Sequence, residues 1–118
     1  MNEFKRILHA FNNSFNGFIS AFRDEAAFRW EVLVCVIGTV IAIYLPLDWV
    51  TRFLLISSLL LILLMELVNT AIEATIDRIS ADRHPLSKKA KDIGSLIVLI
   101  SFANAGIIWA IVLIKYLF

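Results

Sequence analysis

The sequence predicts an all-α membrane protein with three spanning helices and an N-terminal amphipathic helix. Three observations predict it. Of 118 residues, 60% are hydrophobic and 18% charged, against about 45–50% and about 25% in soluble domains. The apolar residues collect into three long runs, and the segment before them is spaced like one face of a helix. This composition excludes an ordinary globular enzyme and a disordered chain, and a net charge of +1 lacks the basic excess of a nucleic-acid binder. The length suits a single domain over 1–118. Cys35 is the one cysteine, so no disulfide forms within the chain.

The first element is expected over 3–23. Phe4, Ile7, Leu8, Phe11, Phe15, Phe18, Ile19 and Phe22 form a helical stripe, with Lys5, Arg6, Asn12, Asn13 and Asn16 off it. Such a helix lies in the membrane interface with its apolar face in the acyl boundary. No short apolar stretch follows a basic start, so no signal peptide is expected.

A spanning helix needs about 20 predominantly apolar residues. The first span, about 29–48, contains 16 uncharged residues from Val32 to Leu47 and draws on its flanks. Trp30 and Trp49 flank it as interfacial aromatics. The second, about 52–79, holds the 20 residues Phe53–Ile72 with one acid, Glu66, among them. The third, about 90–117, contains the 22 uncharged residues Ile93–Ile114.

The bases orient these spans. Lys5, Arg6, Arg23 and Arg29 precede the first, and Arg78, Arg83, Lys88, Lys89 and Lys91 follow the second, against Arg52 and Lys115 on the other side. Nine against two places the N-terminus and the 77–91 segment in the cytoplasm and the C-terminus outside.

The second span carries the chemistry. At ~100° per residue, Glu66, Asn69, Glu73 and Asp77 fall within an arc of about 80°. Acids at membrane depth normally face a bundle interior or a watery cavity, and they mark functional sites. A purely structural polar stripe would be served by Asn69 or Thr70; three like charges instead call for cations. Carboxylate oxygens suit a hard ion, above all Mg²⁺, whereas zinc would find only His9, His84 and Cys35. Magnesium is commonly shared between one or two carboxylates and substrate phosphates.

Two further groups reach the same membrane level. D-E-A-A-F-R-W-E, Asp24 to Glu31, precedes the first span, and on a continuous helix Glu25 and Arg29 form an i, i+4 pair. K-K-A-K-D-I-G-S, Lys88 to Ser95, leads into the third, with Lys91 and Ser95 on one face and Asp92 beside Lys91. No G-x-x-x-x-G-K-[ST] loop or soluble protein-kinase motif set is present. Nucleotide phosphates would therefore be held by Mg²⁺ and basic side chains. Phosphoryl transfer needs positioning, charge neutralisation and a base for the attacking hydroxyl, and Glu66 is deep enough to act on a lipid alcohol. A small proton-coupled transporter would also explain Glu66, though not the acids and Lys91 at the cytoplasmic edge.

E-A-A-F-R-x-E (Glu25 to Glu31), E-L-V-N-T-A-I-E-A-T-I-D-R-I (Glu66 to Ile79) and A-K-D-I-G-S (Ala90 to Ser95) resemble the small prokaryotic integral-membrane diacylglycerol kinases. That group includes the undecaprenol kinases, and the resemblance runs from Arg6 through the last span. E-A-A-F-R-x-E and D-R-I-S are more similar to the Gram-negative diacylglycerol kinases. Asp24, Trp30, Asn13 and Pro85 depart from the pattern.

The resemblance implies an ATP- and Mg²⁺-dependent kinase of the bacterial inner membrane, converting diacylglycerol to phosphatidic acid, with undecaprenol as the alternative acceptor. It further implies a homotrimer with active sites shared between subunits. Glu66 would be the general base, and Glu25 and Glu73 the metal ligands. Glu25, Asn69, Glu73, Asp77, His84, Lys91 and Asp92 would bind nucleotide. Arg6, Ala27, Glu31, Arg52, Glu66, Ser95 and Trp109 would line the lipid path. Oligomerisation also has a physical argument, since three helices cannot both wrap a charged stripe and present a lipid path. Ala103, Gly106 and Ala110 offer a small-residue face for such contact.

Overall fold

The computed structural model describes residues 2–118 and consists of four helices: α1 (Glu3–Asp24), α2 (Ala26–Tyr44), α3 (Trp49–Ile79) and α4 (Pro85–Leu117). Each start has a local cause. The Asn2 side chain accepts from the Lys5 amide at 2.8 Å to cap α1. Asp48 accepts from the Thr51 amide at the head of α3. His84 caps α4, where Pro85 occupies the first turn and loses no helical hydrogen bond by lacking an N–H.

The breaks are equally local. Glu25 is extended (φ −115°, ψ 106°) and separates α1 from α2 by a single residue. This overturns the expected Glu25–Arg29 pair. Glu25 is the extended N-cap of α2, so its backbone carbonyl accepts from the Arg29 amide at 3.2 Å while the two side chains do not pair. The Arg29 guanidinium instead donates to the carbonyl oxygens of Phe22 (2.8 Å) and Arg23 (2.9 Å), closing the C-terminus of α1. The next corner repeats the device. Arg52 donates to the carbonyls of Ala42 (2.9 Å) and Leu45 (3.0 Å) at the end of α2.

α2, α3 and α4 are long and apolar enough to cross a membrane. At 31 and 33 residues, α3 and α4 are about 46–50 Å long, beyond the ~30 Å of a hydrocarbon core. Their excess length brings Glu73, Asp77, Lys88 and Lys91 to the end of the bundle where α3 turns back into α4. α3 packs against both α2 and α4. Cys35, Leu59, Ile62 and Ala105 form one buried cluster, and Ala42, Leu47, Leu55 and Val112 a second nearer the Asp48 turn. Trp109 touches both, and its indole Nε1 donates to Ser58 Oγ at 3.2 Å. The outward faces remain apolar, with Ile43, Phe53, Leu99 and Ile107 exposed, as suits spans whose backbone polar groups are bonded within each helix.

α1 departs from this bundle. It is anchored to α2 by Phe28, which is 1% exposed and meets Phe18 edge-on at 5.6 Å. The Phe4, Phe11 and Phe15 side chains are exposed.

Candidate functional site

The polar stripe of α3 is one continuous helical face whose burial falls along its length. Glu66 is 7% exposed and Asn69 8%, Glu73 is half-buried, and Asp77 is exposed. Helical periodicity places these side chains in a column running from the bundle interior to its open end.

Neighbouring elements bring more acids to the buried end. Glu31 of α2 is buried and stands within hydrogen-bonding reach of Glu66. The extended backbone at Glu25 carries that half-buried side chain into electrostatic range of Glu66. Asn69 Nδ2 donates to Glu73 Oε1 at 3.4 Å, the long limit of such a bond. Among the described residues, two enclosed acceptors have no donor, Glu31 Oε2 and Asn69 Oδ1. Each is a polar group whose desolvation is uncompensated within the chain.

At the open end, Lys91 of α4 pairs with Asp77 at 2.8 Å, and Lys88 pairs with Asp92 at 2.7 Å one turn along. The last turn of α3 and first turns of α4 enclose a cleft of about 660 Å³, with Asp77, Arg83, His84, Lys88, Lys91 and Asp92 among its walls. His84 Nδ1 is engaged, accepting from the Leu86 amide at 3.1 Å.

The structure thus brings Glu25 and Glu31 toward Glu66, with Asn69 and Glu73 continuing the column along α3, and sets Asp77, His84, Lys91 and Asp92 around the adjoining cleft. It does not bring all sequence-predicted residues there. Arg6 pairs with Glu3 at 3.0 Å near the start of α1, about 28 Å of helix from Glu25. Arg52 lies about 21 Å of helix from Glu66, at the opposite end of α3. Trp109 sits in the core seam between them, while Ala27 and Ser95 are exposed on α2 and α4.

Among the described residues, no three His, Cys, Asp or Glu side chains stand close enough to ligate a metal together. The donors along the column are hard carboxylate oxygens, those of Glu25, Glu66 and Glu73. This set fits a magnesium ion shared between protein and phosphates rather than an all-protein cage.

Sequence reasoning gave no role to Gly94. This buried residue lies directly against Asn69, and a Cβ there would collide with the Asn69 Oδ1. A glycine inside an apolar helical run was the available signal.

A sequence profile described as prokaryotic diacylglycerol kinase matches residues 12–113. The chain is 46% identical over 110 residues to the diacylglycerol kinase of Escherichia coli strain K12, covering 93% of this chain and 90% of that one. It is 47% identical over 110 residues to the diacylglycerol kinase of Pseudomonas aeruginosa, covering 93% and 89%. With the diacylglycerol kinase of Helicobacter pylori strain J99 it shares 38% over 106 residues, covering 90% and 83%.

Proposed function

The chain belongs to the prokaryotic diacylglycerol kinase family, whose members are lipid kinases, and on that premise we propose that it transfers the γ-phosphoryl group of ATP to diacylglycerol, forming phosphatidic acid. The observation that carries this reading is the α3 column: a buried carboxyl at Glu66, then Asn69 and Glu73 along the same face, and at its exposed end Asp77 on the wall of a mixed-charge cleft.

Each part has a chemical role. Glu66 takes the proton of the lipid hydroxyl as its oxygen bonds to the γ-phosphorus and the bond to the β,γ-bridging oxygen breaks, releasing ADP. Glu25 and Glu73, with Asn69 beside them, hold the magnesium nucleotide. The ion, when bound, supplies charge neutralisation on the phosphate oxygens. Lys91 and Asp92 contact the nucleotide together with Asp77 and His84 at the cleft. The lipid approaches within the bilayer past Ala27, Glu31 and Ser95, with Arg6, Arg52 and Trp109 further along its path.

The active form in this reading is a homotrimer in the bacterial inner membrane, with sites completed by neighbouring subunits. Its N-terminus and cleft face the cytoplasm, its C-terminus faces the periplasm, and α1 lies in the interface. Two features support assembly. Arg6 stands remote from the α3 acid column of its own chain, and Ala103, Gly106 and Ala110 present an open small-residue face on α4.

Purified protein assayed with ATP, Mg²⁺ and diacylglycerol tests the function. Glu66→Gln is expected to lower kcat by about 10²–10⁴-fold, the contribution of a general base, with assembly retained. Near-normal turnover in that variant would remove Glu66 from the role. Faster turnover of undecaprenol than of diacylglycerol would reassign the acceptor.

A further inference from the structure

We propose that Gly94 is a positioning residue. Its missing side chain makes a notch in α4 that seats the Asn69 amide, and the seated amide sets where the Glu73 carboxylate stands. The inference rests on the reading above that Asn69 and Glu73 serve the nucleotide.

Backbone conformation does not demand glycine here. No described glycine has a positive φ, and glycine in a helix interior is less favourable than alanine. The demand is for space. A Cβ on Gly94 would overlap Asn69 Oδ1, stand 3.3 Å from Asn69 Cγ, and touch Ile72 Cδ1 at 3.8 Å. Gly106, twelve positions further along the same helix, is the contrast, because a Cβ there meets nothing within 4 Å.

The Asn69 amide has little freedom to yield. It is 8% exposed, and its oxygen is enclosed without a donor. Its single side-chain hydrogen bond runs from Nδ2 to Glu73 Oε1 at 3.4 Å. Displacing the amide from the notch therefore stretches a bond already at its limit. The carboxylate it orients is freed, and α3 separates from α4 at the level of the cleft. Gly94 touches neither substrate in this scheme and acts only through Asn69.

The test uses the full chain in detergent micelles as wild type, Gly94→Ala, Asn69→Ala, the double variant and Gly106→Ala. Thermal unfolding is read first. Gly94→Ala is expected to lower the unfolding temperature while Asn69 is present and to leave it unchanged or raised once Asn69→Ala is also made. Gly106→Ala should be neutral or stabilising. Should Gly94→Ala fail to fold, the double variant is expected to fold. Additive effects, or a double variant that also fails, overturn the notch.

Steady-state kinetics are read second. Gly94→Ala is expected to raise KM for ATP about tenfold while KM for diacylglycerol stays within about twofold. Parallel changes in both constants would reduce Gly94 to a packing residue and overturn the positioning role. A wild-type protein without ATP-dependent lipid phosphorylation would instead overturn the proposed function. The unfolding cycle would still decide the notch in that case.

Discussion

Lys91 on α4 holds its ammonium 2.8 Å from the Asp77 carboxylate on α3, bridging the two helices at the cleft. Both side chains are substantially exposed, and exposed ion pairs contribute little to stability, with a median of about 0–1 kcal/mol. The pair is therefore easily exchanged, and under the proposed function a more highly charged phosphate would take the place of Asp77 beside the lysine.

That relationship separates binding from folding. Lys91→Ala is expected to raise KM for ATP by about tenfold to a hundredfold, the worth of a charge-assisted contact of about 1.5–3 kcal/mol. The unfolding temperature should scarcely move. ATP titrations and thermal unfolding on the same preparation check both halves. A large loss of stability with unchanged KM would make Lys91 a structural residue.

Arg52 predicts the reverse pattern. It caps the end of α2 through two charge-assisted hydrogen bonds, so Arg52→Ala should destabilise the bundle by about 2 kcal/mol. Arg52→Lys should restore only part, because a single ammonium cannot reproduce the fork. Unfolding in micelles is the measurement. Unchanged unfolding with a raised KM for lipid would favour the substrate path as the sole role of Arg52.

Trp109→Phe keeps most of the apolar contact while removing the indole donor to Ser58. A cost of about 0.5–1.5 kcal/mol is expected. Ser58 retains its own bond to the Leu55 carbonyl at 2.7 Å, so adding Ser58→Ala should cost little more. A double-mutant cycle on unfolding reads the coupling, and strict additivity would show that the contact is not formed.

Asp48 carries a pH signature. The Thr51 hydroxyl, chiefly, holds its carboxyl below the usual aspartate range, desolvation opposes it, and the Thr51 amide and Tyr116 hydroxyl assist. A native carboxyl below its unfolded value of about 3.9 stabilises the fold above that value. This stabilisation is lost as pH falls through the lowered native value. The difference in unfolding temperature between wild type and Asp48→Ala should stay constant from about pH 5 to 8 and close in stronger acid. A difference that also closed near neutrality would assign the effect to another group.

The three apolar helices were legible because hydropathy runs register directly in sequence, and the α3 column was legible because its four residues obey one period. The Arg29 contact was not. Its geometry depends on the single extended residue Glu25, and pairing rules for a continuous helix fail across that break. Gly94 was hidden for a different reason. What makes it necessary is Asn69 on another helix, and one chain read linearly does not show which face of α4 meets α3. The Asp77–Lys91 pair likewise joins residues fourteen positions apart across a turn, although each residue stands out singly in the sequence.

The two arginine corners have a consequence for biogenesis. Arg29 reaches back six and seven residues and Arg52 seven and ten, so each corner can close as soon as the next helical turn has been synthesised. Neither requires α4. The Asp77–Lys91 bridge, the cleft and the seat for Asn69 all do. A nascent chain stalled after α3 would therefore possess its finished corners and its acids but no cleft. Under the proposed function, phosphoryl transfer would wait for α4, and no half-inserted polypeptide would consume ATP.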